Sequence, residues 1–197
     1  MFFDKLYLAA ALALGASALP QGLQSTTTSS ATPSSSSSGS STSSATPSSS
    51  AGASGGGITI VNNLDTTVNL WSTSSTAGSG DKQSLTAGGG SSTESWQTTS
   101  DGSGISIKLS TSEDQSSVLQ FEYTNTDDGL FWDLSSIDLD KDSAFVKGGF
   151  SATSDDGSCA AVSCTAGDAD CAASYQKPDD VDTHSCSSGA AITLTLG

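Results

Sequence analysis

Leu119-Gln120-Phe121-Glu122-Tyr123 alternates apolar and polar side chains without a break. A period of two is the spacing of a strand with one buried face, because successive side chains point to opposite sides of a sheet. Leu119, Phe121 and Tyr123 therefore face a core, and Gln120 and Glu122 face the other way. Ile105-Ser106-Ile107-Lys108-Leu109 repeats the pattern. Ile58-Thr59-Ile60-Val61, Val68-Asn69-Leu70-Trp71, Leu130 to Leu134 and Ile192 to Leu196 supply four more short strands. Asn62-Asn63-Leu64-Asp65, between the first two of these, reads as a hairpin-like turn. Gly88-Gly89-Gly90 and Gly148-Gly149 punctuate the run. No helical period lasts the ~10 residues that a helix assignment needs. Many short strands separated by turn signals predict an all-β sandwich.

These signals lie within residues 57–197, one domain long enough to bury roughly two thirds of its chain surface. Residues 1–18 read as a secretory signal peptide. Lys5 precedes the apolar run Tyr7 to Gly15, and Ala16-Ser17-Ala18 offers a small-x-small cleavage pattern. The apolar run is shorter than the ~20 residues of a membrane span. Residues 19–56 are Ser, Thr, Ala, Gly and Pro with almost no apolar content, and Ala-Thr-Pro-Ser-Ser-Ser occurs at Ala31 and again at Ala45. Such a tract cannot bury enough surface to offset its ordering entropy, so a disordered stalk or linker is expected, with the composition of an O-glycosylated segment. The tail Ala190 to Gly197 is too short for a lipid-anchor signal. The expected product is secreted, extracellular or cell-wall-associated, with no membrane attachment after leader removal.

The chain carries 21 acidic residues against six basic ones, all lysine, for a formal charge of −15. That balance argues against nucleic acid as a partner, which requires a basic face, and suits a soluble extracellular protein or one that meets neutral sugars or cationic partners; a monomer is expected. The four cysteines, Cys159, Cys164, Cys171 and Cys186, fall in the last quarter of a chain bound for an oxidising compartment, where disulfides are expected in one of three connectivities. Their spacing has no C-x2-C knuckle for zinc. Asp138-x-Asp140-x-Asp142 starts like a calcium loop, but Ser143 stands where an EF-hand needs glycine and Gly149 where it needs a bidentate glutamate. A polar turn is expected there, with no metal and no cofactor. His184 is the lone histidine, with Asp182 nearby; lacking a Gly-x-Ser-x-Gly elbow, it is expected to be a solvent-exposed loop residue.

Two further stretches carry chemistry. Phe131-Trp132-Asp133-Leu134-Ser135-Ser136-Ile137-Asp138 sets two carboxylates five residues apart behind an aromatic pair, and Cys171 to Cys186 encloses Ser174-Tyr175-Gln176-Lys177-Pro178-Asp179-Asp180. Together with Ile58-Thr59-Ile60-Val61-Asn62-Asn63, these segments resemble thaumatin-like proteins, most closely the short fungal secreted branch that includes yeast-phase-specific antigens. The likeness covers most of residues 57–197, with four of that family's usual sixteen cysteines. It implies a thaumatin-like β-sandwich with a small disulfide-stapled loop region. It also implies nested bonds, Cys159 with Cys186 and Cys164 with Cys171; spacing alone also permits sequential pairing.

The resemblance further implies an acidic cleft for β-1,3-glucan, built in the family from one Arg, one Glu and three Asp. Asp133 and Asp138 match two of the Asp positions, and Asp179 or Asp180 the third. Gln120 stands at the Glu position, and the chain has no arginine. Glycoside hydrolysis needs two carboxyl groups in distinct roles, and an amide can fill neither. Glu122, on the same strand face as Gln120, is the candidate catalytic acid if there is one. Trp132 is placed beside the acids by turning outward if Phe131 packs inward. The expectation is a non-catalytic module that binds β-glucan or another cell-wall polysaccharide through Gln120, Trp132, Asp133, Asp138, Asp179 and Asp180. The alternatives are a cell-surface structural or host-interaction protein with a vestigial cleft, whose partners are host proteins, and an endo-β-1,3-glucanase using Glu122.

Overall fold

The computed structural model describes residues 56–197. The signal peptide assigned to 1–18 and the Ser/Thr-rich segment assigned to 19–56 fall outside the described residues, Gly56 apart. Among the described residues are twelve strands and one short helix. The strands are β1 (Gly57–Asn62), β2 (Val68–Ser74), β3 (Gly78–Ser79), β4 (Gln83–Leu85), β5 (Gly90–Ser95), β6 (Ile105–Ser110), β7 (Leu119–Thr126), β8 (Gly129–Ser135), β9 (Phe150–Ser154), β10 (Val162–Cys164), β11 (His184–Cys186) and β12 (Ala191–Leu196). They form two sheets, ordered β10-β9-β12-β1-β5 and β11-β8-β7-β6-β2-β3, with β4 added to β2. The molecule is a two-sheet β-sandwich, as the alternation predicts.

Alternation builds the core. Ile58 and Ile60 from β1, Ile192, Leu194 and Leu196 from β12, and Ala152 from β9 face inward from one sheet. Ile107 and Leu109, Phe121 and Tyr123, and Leu130, Trp132 and Leu134 face them from the other, all in a single buried cluster. Phe121 and Trp132 stack with centroids 5.5 Å apart. Trp96 lies against Tyr123 and donates from Nε1 to the Ala190 carbonyl at 2.7 Å, a partner for a donor that burial would otherwise leave unpaired.

The Asn62–Asp65 turn is not a hairpin. β1 pairs with β12 in parallel and with β5, whereas β2 pairs with β3, β4 and β6. The turn is a corner that carries the chain from one sheet to the other. The buried side chain of Asn62 holds it: Nδ2 donates to the carbonyls of Thr66, Leu85 and Thr86, and Oδ1 accepts from Leu64 N. An amide supplying donors and an acceptor in opposite directions meets backbone groups that the corner takes out of both ladders.

The helix α1 (Ala144–Gly148) is too short for its period to show in the sequence. Ser143 caps it, accepting from Val146 N at 3.2 Å, and Phe145 and Val146 bury its inner side. Its C-terminal Gly149 has φ +78°, and an added Cβ there would lie 2.8 Å from the Cys164 carbonyl oxygen. Cys159 bonds to Cys186 and Cys164 to Cys171, the nested arrangement. The first bond ties β11, an edge strand with three paired residues, to the loop after β9.

Candidate functional site

The candidate site is the outer face of the larger sheet where β6, β7 and β8 run side by side. Ser106 pairs with Glu122 and Glu122 with Asp133, so one rung carries a hydroxyl and two carboxyl groups. The next rung carries Lys108, Gln120 and Ser135. On the other side, Thr124 stands opposite Phe131. Directly opposed residues in an antiparallel pair have Cβ atoms about 4.5–5.5 Å apart, and like charges placed so repel. This repulsion and their burial both favour the protonated forms of Glu122 and Asp133, and raise the two groups in the same direction. Asp133 is raised from 3.8 to about 7, first by burial and then by the charges of Glu122 and Asp182. Glu122 is also raised, chiefly by burial and less by Asp138; the Ser106 hydroxyl and the Lys108 ammonium oppose the shift without cancelling it.

Two acceptors on this face are unsatisfied. Asp133 Oδ1 and Ser135 Oγ are buried and have no hydrogen-bond partner. They lie two residues apart on β8, so they share the face of Glu122 and Gln120. Gln120 is 9% exposed and accepts from Ser106 Oγ at 3.3 Å, so it buttresses the face more than it presents a group to solvent.

The Cys171–Cys186 segment borders the site along β8. Tyr175 N donates to the Leu134 carbonyl, Ser136 N donates to the Tyr175 carbonyl, and the Ser136 and Ser174 hydroxyls lie 2.7 Å apart. Beside it is an open depression of about 310 Å³ whose lining includes Ser174, Gln176, Lys177, Asp180 and Asp182. Asp182 belongs both to this depression and to the field that raises Asp133. A second depression, of about 440 Å³, is lined by Ser110, Ser112, Ser116 and Ser117 and by Asp140, Lys141 and Asp142, and includes neither Glu122 nor Asp133. No cluster of three or more His, Cys, Asp or Glu among the described residues is placed to hold a metal ion.

Several expected residues stand elsewhere. Trp132 points into the core: it is 1% exposed, and its Nε1 donates to Cys186 Sγ at 3.3 Å. Leu130 and Leu134 share its parity and drive all three inward, so Phe131 is the aromatic that turns to the acidic face. The third loop acid is Asp182. Asp180 turns to its own loop, where Oδ2 accepts from the backbone N of Gln176 and Lys177, and Asp179 is exposed. Asp138 is exposed at the margin, close enough to Glu122 to raise it, and its carbonyl accepts from Val118 N. His184 is a strand residue, not a loop residue. It is half-buried against Trp132, with centroids 4.7 Å apart, and its Nε2 lies 3.8 Å from Asp182 without a hydrogen bond.

Sequence reasoning missed Lys108, Ser135 and the site role of Asp182. Lys108 was findable, because the alternation of Ile105 to Leu109 puts it on the outer face as surely as that of Leu119 to Tyr123 puts Glu122 there. Nothing local marks Asp182 over its neighbours, since the path of an irregular loop selects it.

Known proteins share this architecture and sequence. The family model described as Bys1, Blastomyces yeast-phase-specific protein, matches residues 44–197. The secreted thaumatin-like protein calA of Emericella nidulans is 51% identical over 141 residues, 72% of this chain and 81% of that protein. An antigenic thaumatin-like protein of Arthroderma benhamiae is 38% identical over 130 residues, 66% of this chain and 64% of that protein. Among solved structures, the protein elicitor MoHrip2 from Magnaporthe oryzae has the same fold, with a TM-score of 0.59 at 21% identity over 72% of this chain and 98% of that one.

Proposed function

Because the chain belongs to the Blastomyces yeast-phase-specific protein family, within the secreted fungal thaumatin-like proteins, we propose that it is an extracellular module that binds β-glucan or another cell-wall polysaccharide. The reading places the ligand on the outer face around Glu122 and Asp133, without hydrolysis. The observation that carries it is the pair of buried, donor-less acceptors, Asp133 Oδ1 and Ser135 Oγ, on a half-buried polar face. Buried polar atoms are nearly always paired, and an unpaired one costs stability unless something arrives to satisfy it. A polyol has hydroxyl donors at close, regular intervals and suits such a face. The hydroxyls of Ser106 and Thr124, and Phe131, supply further polar and apolar contact, and Gln120 buttresses them from within the face. Asp138 and Asp182 flank the site, and Asp179 and Asp180 lie on the loop beyond.

Two features argue for binding over chemistry. A glycosidase sets its acid and its nucleophile or base on opposite sides of the scissile bond. Glu122 and Asp133 are neighbours on one rung and meet a chain laid over the sheet from one side. Their environments also shift them in the same direction, whereas an acid–base pair needs its two members driven apart.

The test is co-sedimentation of the full chain with insoluble β-1,3-glucan, with reducing sugar measured in the same tube, beside a Glu122→Gln/Asp133→Asn variant. Binding without product, lost in the variant, is the expected result. Absence of binding by the unaltered protein removes the reading. One observation favours hydrolysis instead: Glu122 restores a second carboxyl within reach of Asp133 despite Gln120. Released sugar that disappears in the variant would establish it.

A further inference from the structure

The charge around the site is unbalanced in a way that a neutral sugar does not correct. Glu122 and Asp133 face each other by register; Asp138 acts on Glu122, and Asp182 on Asp133. Lys108 is the cation that offsets the pair; Lys177, in the depression beside Asp182, lies 3.9 Å from Asp180, and the chain has no arginine to add another. His184 Nε2 lies 3.8 Å from Asp182 and makes no hydrogen bond. Asp133 Oδ1 and, behind it, Ser135 Oγ, on a residue 1% exposed, still lack donors.

We propose that this face, read above as a carbohydrate site, recognises a protonated amino sugar: a β-linked polymer of 2-amino-2-deoxyglucose, the deacetylated form of chitin. The inference rests on the carbohydrate reading and narrows it. A neutral glucan offers hydroxyl donors to the empty acceptors but leaves the half-buried Glu122, Asp133 and Asp182, with Asp138 at the margin, without a further positive charge. An ammonium group donates to Asp133 and supplies the missing positive charge at once, and a hydrogen bond between charged partners is roughly twice as strong as a neutral one. A lysine side chain of a protein carries the same ammonium. The surroundings favour the sugar: Ser106 and Thr124 carry hydroxyls on the face of the pair, Phe131 gives a ring face, and the depression beside Asp182 is open, mixing polar Ser174 and Gln176 with apolar Ala172 and Val181 as a sugar's own two faces do. The chain's net charge of −15 draws a polycation toward the protein before it docks.

Binding through this site has a signature that general attraction lacks. The ammonium favours ionised Asp133, so the proton that the free protein keeps there leaves on binding. The experiment is calorimetric titration of the full chain near pH 6 with the hexamer of 2-amino-2-deoxyglucose. Two buffers of different ionisation enthalpy report proton release, and β-1,3-glucan and N-acetylglucosamine hexamers run alongside. The amino hexamer should bind at least tenfold more tightly than the neutral ones, with up to one proton released. Asp133→Asn and Glu122→Gln should each cost tenfold or more in affinity, the former abolishing proton release. Asp65→Asn, which removes the same charge at the exposed sheet corner, should leave both quantities unchanged.

Binding of the glucan hexamer in preference to the amino hexamer would overturn the inference and leave the carbohydrate reading standing. Binding of none would overturn both. Equal loss of affinity in Asp65→Asn and Asp133→Asn would reduce the attraction to net charge and refute the site. A lysine-rich peptide that competed at equal affinity, also sensitive to Asp133→Asn, would refute the sugar class.

Discussion

Asp133→Asn should make the protein more stable at neutral and alkaline pH, and the gain should grow with pH. Folding raises Asp133 from 3.8 to about 7, first by burial and then by Glu122 and Asp182. The unfolded chain therefore gives up this proton at lower pH than the folded one. Below pH 3.8 both states hold it and the group contributes nothing. Between 3.8 and about 7 folding must either keep a proton that the unfolded state has released or bury a charge, so stability falls as pH rises, and the loss levels off above 7. Each tenfold change in proton affinity is worth about 1.4 kcal/mol. The loss between pH 5 and pH 8 is then about 2–3 kcal/mol, and the full loss approaches about 4. Asparagine keeps the shape and removes the charge, and its amide can donate to Glu122. Urea unfolding of both proteins at pH 4, 6 and 8, disulfides intact, should show near-equal midpoints at pH 4. By pH 8 the variant should be ahead by about 2–4 kcal/mol, on the order of 7–13 °C in Tm for a domain of this size. The pair titrates jointly, so the midpoint of the effect belongs to Glu122 and Asp133 together. A variant no more stable than the parent at pH 8, or one whose difference ignores pH, would refute the picture of a desolvated, mutually repelling pair.

Asn62→Ala should cost about 3 kcal/mol, because the Thr66 and Leu85 carbonyls and Leu64 N lose this partner together while the Thr86 carbonyl keeps Gly90 N; thermal melting measures it, and a loss under 1 kcal/mol would deny the corner its role. Trp132→Ala should cost about 3–5 kcal/mol as a core truncation, whereas Phe131→Ala should be mild in stability and weaken polysaccharide binding; equal effects in both assays would erase the distinction between the two faces. Replacing Cys159 and Cys186 together by alanine should destabilise by about 3–4 kcal/mol and replacing Cys164 and Cys171 by about 2–3, because the first bond closes the longer loop, 27 residues of separation against seven; denaturant midpoints in the reverse order would show that packing around the sulfurs outweighs loop entropy.

Strands with one apolar and one polar face were legible in the sequence. β1, β6, β7 and β12 carry their own alternation, and tertiary packing follows it, whereas β2 begins with four consecutive buried residues and Phe131 breaks the parity of β8. The strands that reasoning missed do not. β5 reads Gly-Ser-Ser-Thr-Glu-Ser, with nothing to mark an inner face, and is a strand because β1 offers it a register from Gly57 to Asn62. β10 and β11 have three residues each and are held at the sheet margins by pairing and by the cysteines within them. The Asn62 turn misled for a related reason. Its composition reports a change of chain direction, but which sheet the chain enters is fixed by side-chain bonds to residues more than twenty positions away.

The site divides along the same line. Glu122 and Asp133 could each be assigned a face from alternation, and their opposition is a matter of register across a tight β-hairpin, which local sequence nearly determines. Trp132 was misplaced by anchoring the parity of β8 on Phe131. Leu130 and Leu134 outvote it, since two leucines and a tryptophan bury more apolar area inward than one phenylalanine would. Asp182 could be found neither by parity nor by motif, because its position depends on Tyr175 docking beside Ser135 and on the Cys159–Cys186 bond that fixes the far end of the loop. What the strands contribute to this site is thus written locally, and what the loop contributes is written in its two anchors. Changes to the loop anchors should therefore lower the raised Asp133 pKa by withdrawing Asp182 while leaving the Glu122–Asp133 pairing intact. NMR titration of the carboxyl carbons in the Cys159→Ala/Cys186→Ala variant would read that separation directly. An unchanged Asp133 titration there would mean that the loop holds its place without the disulfide.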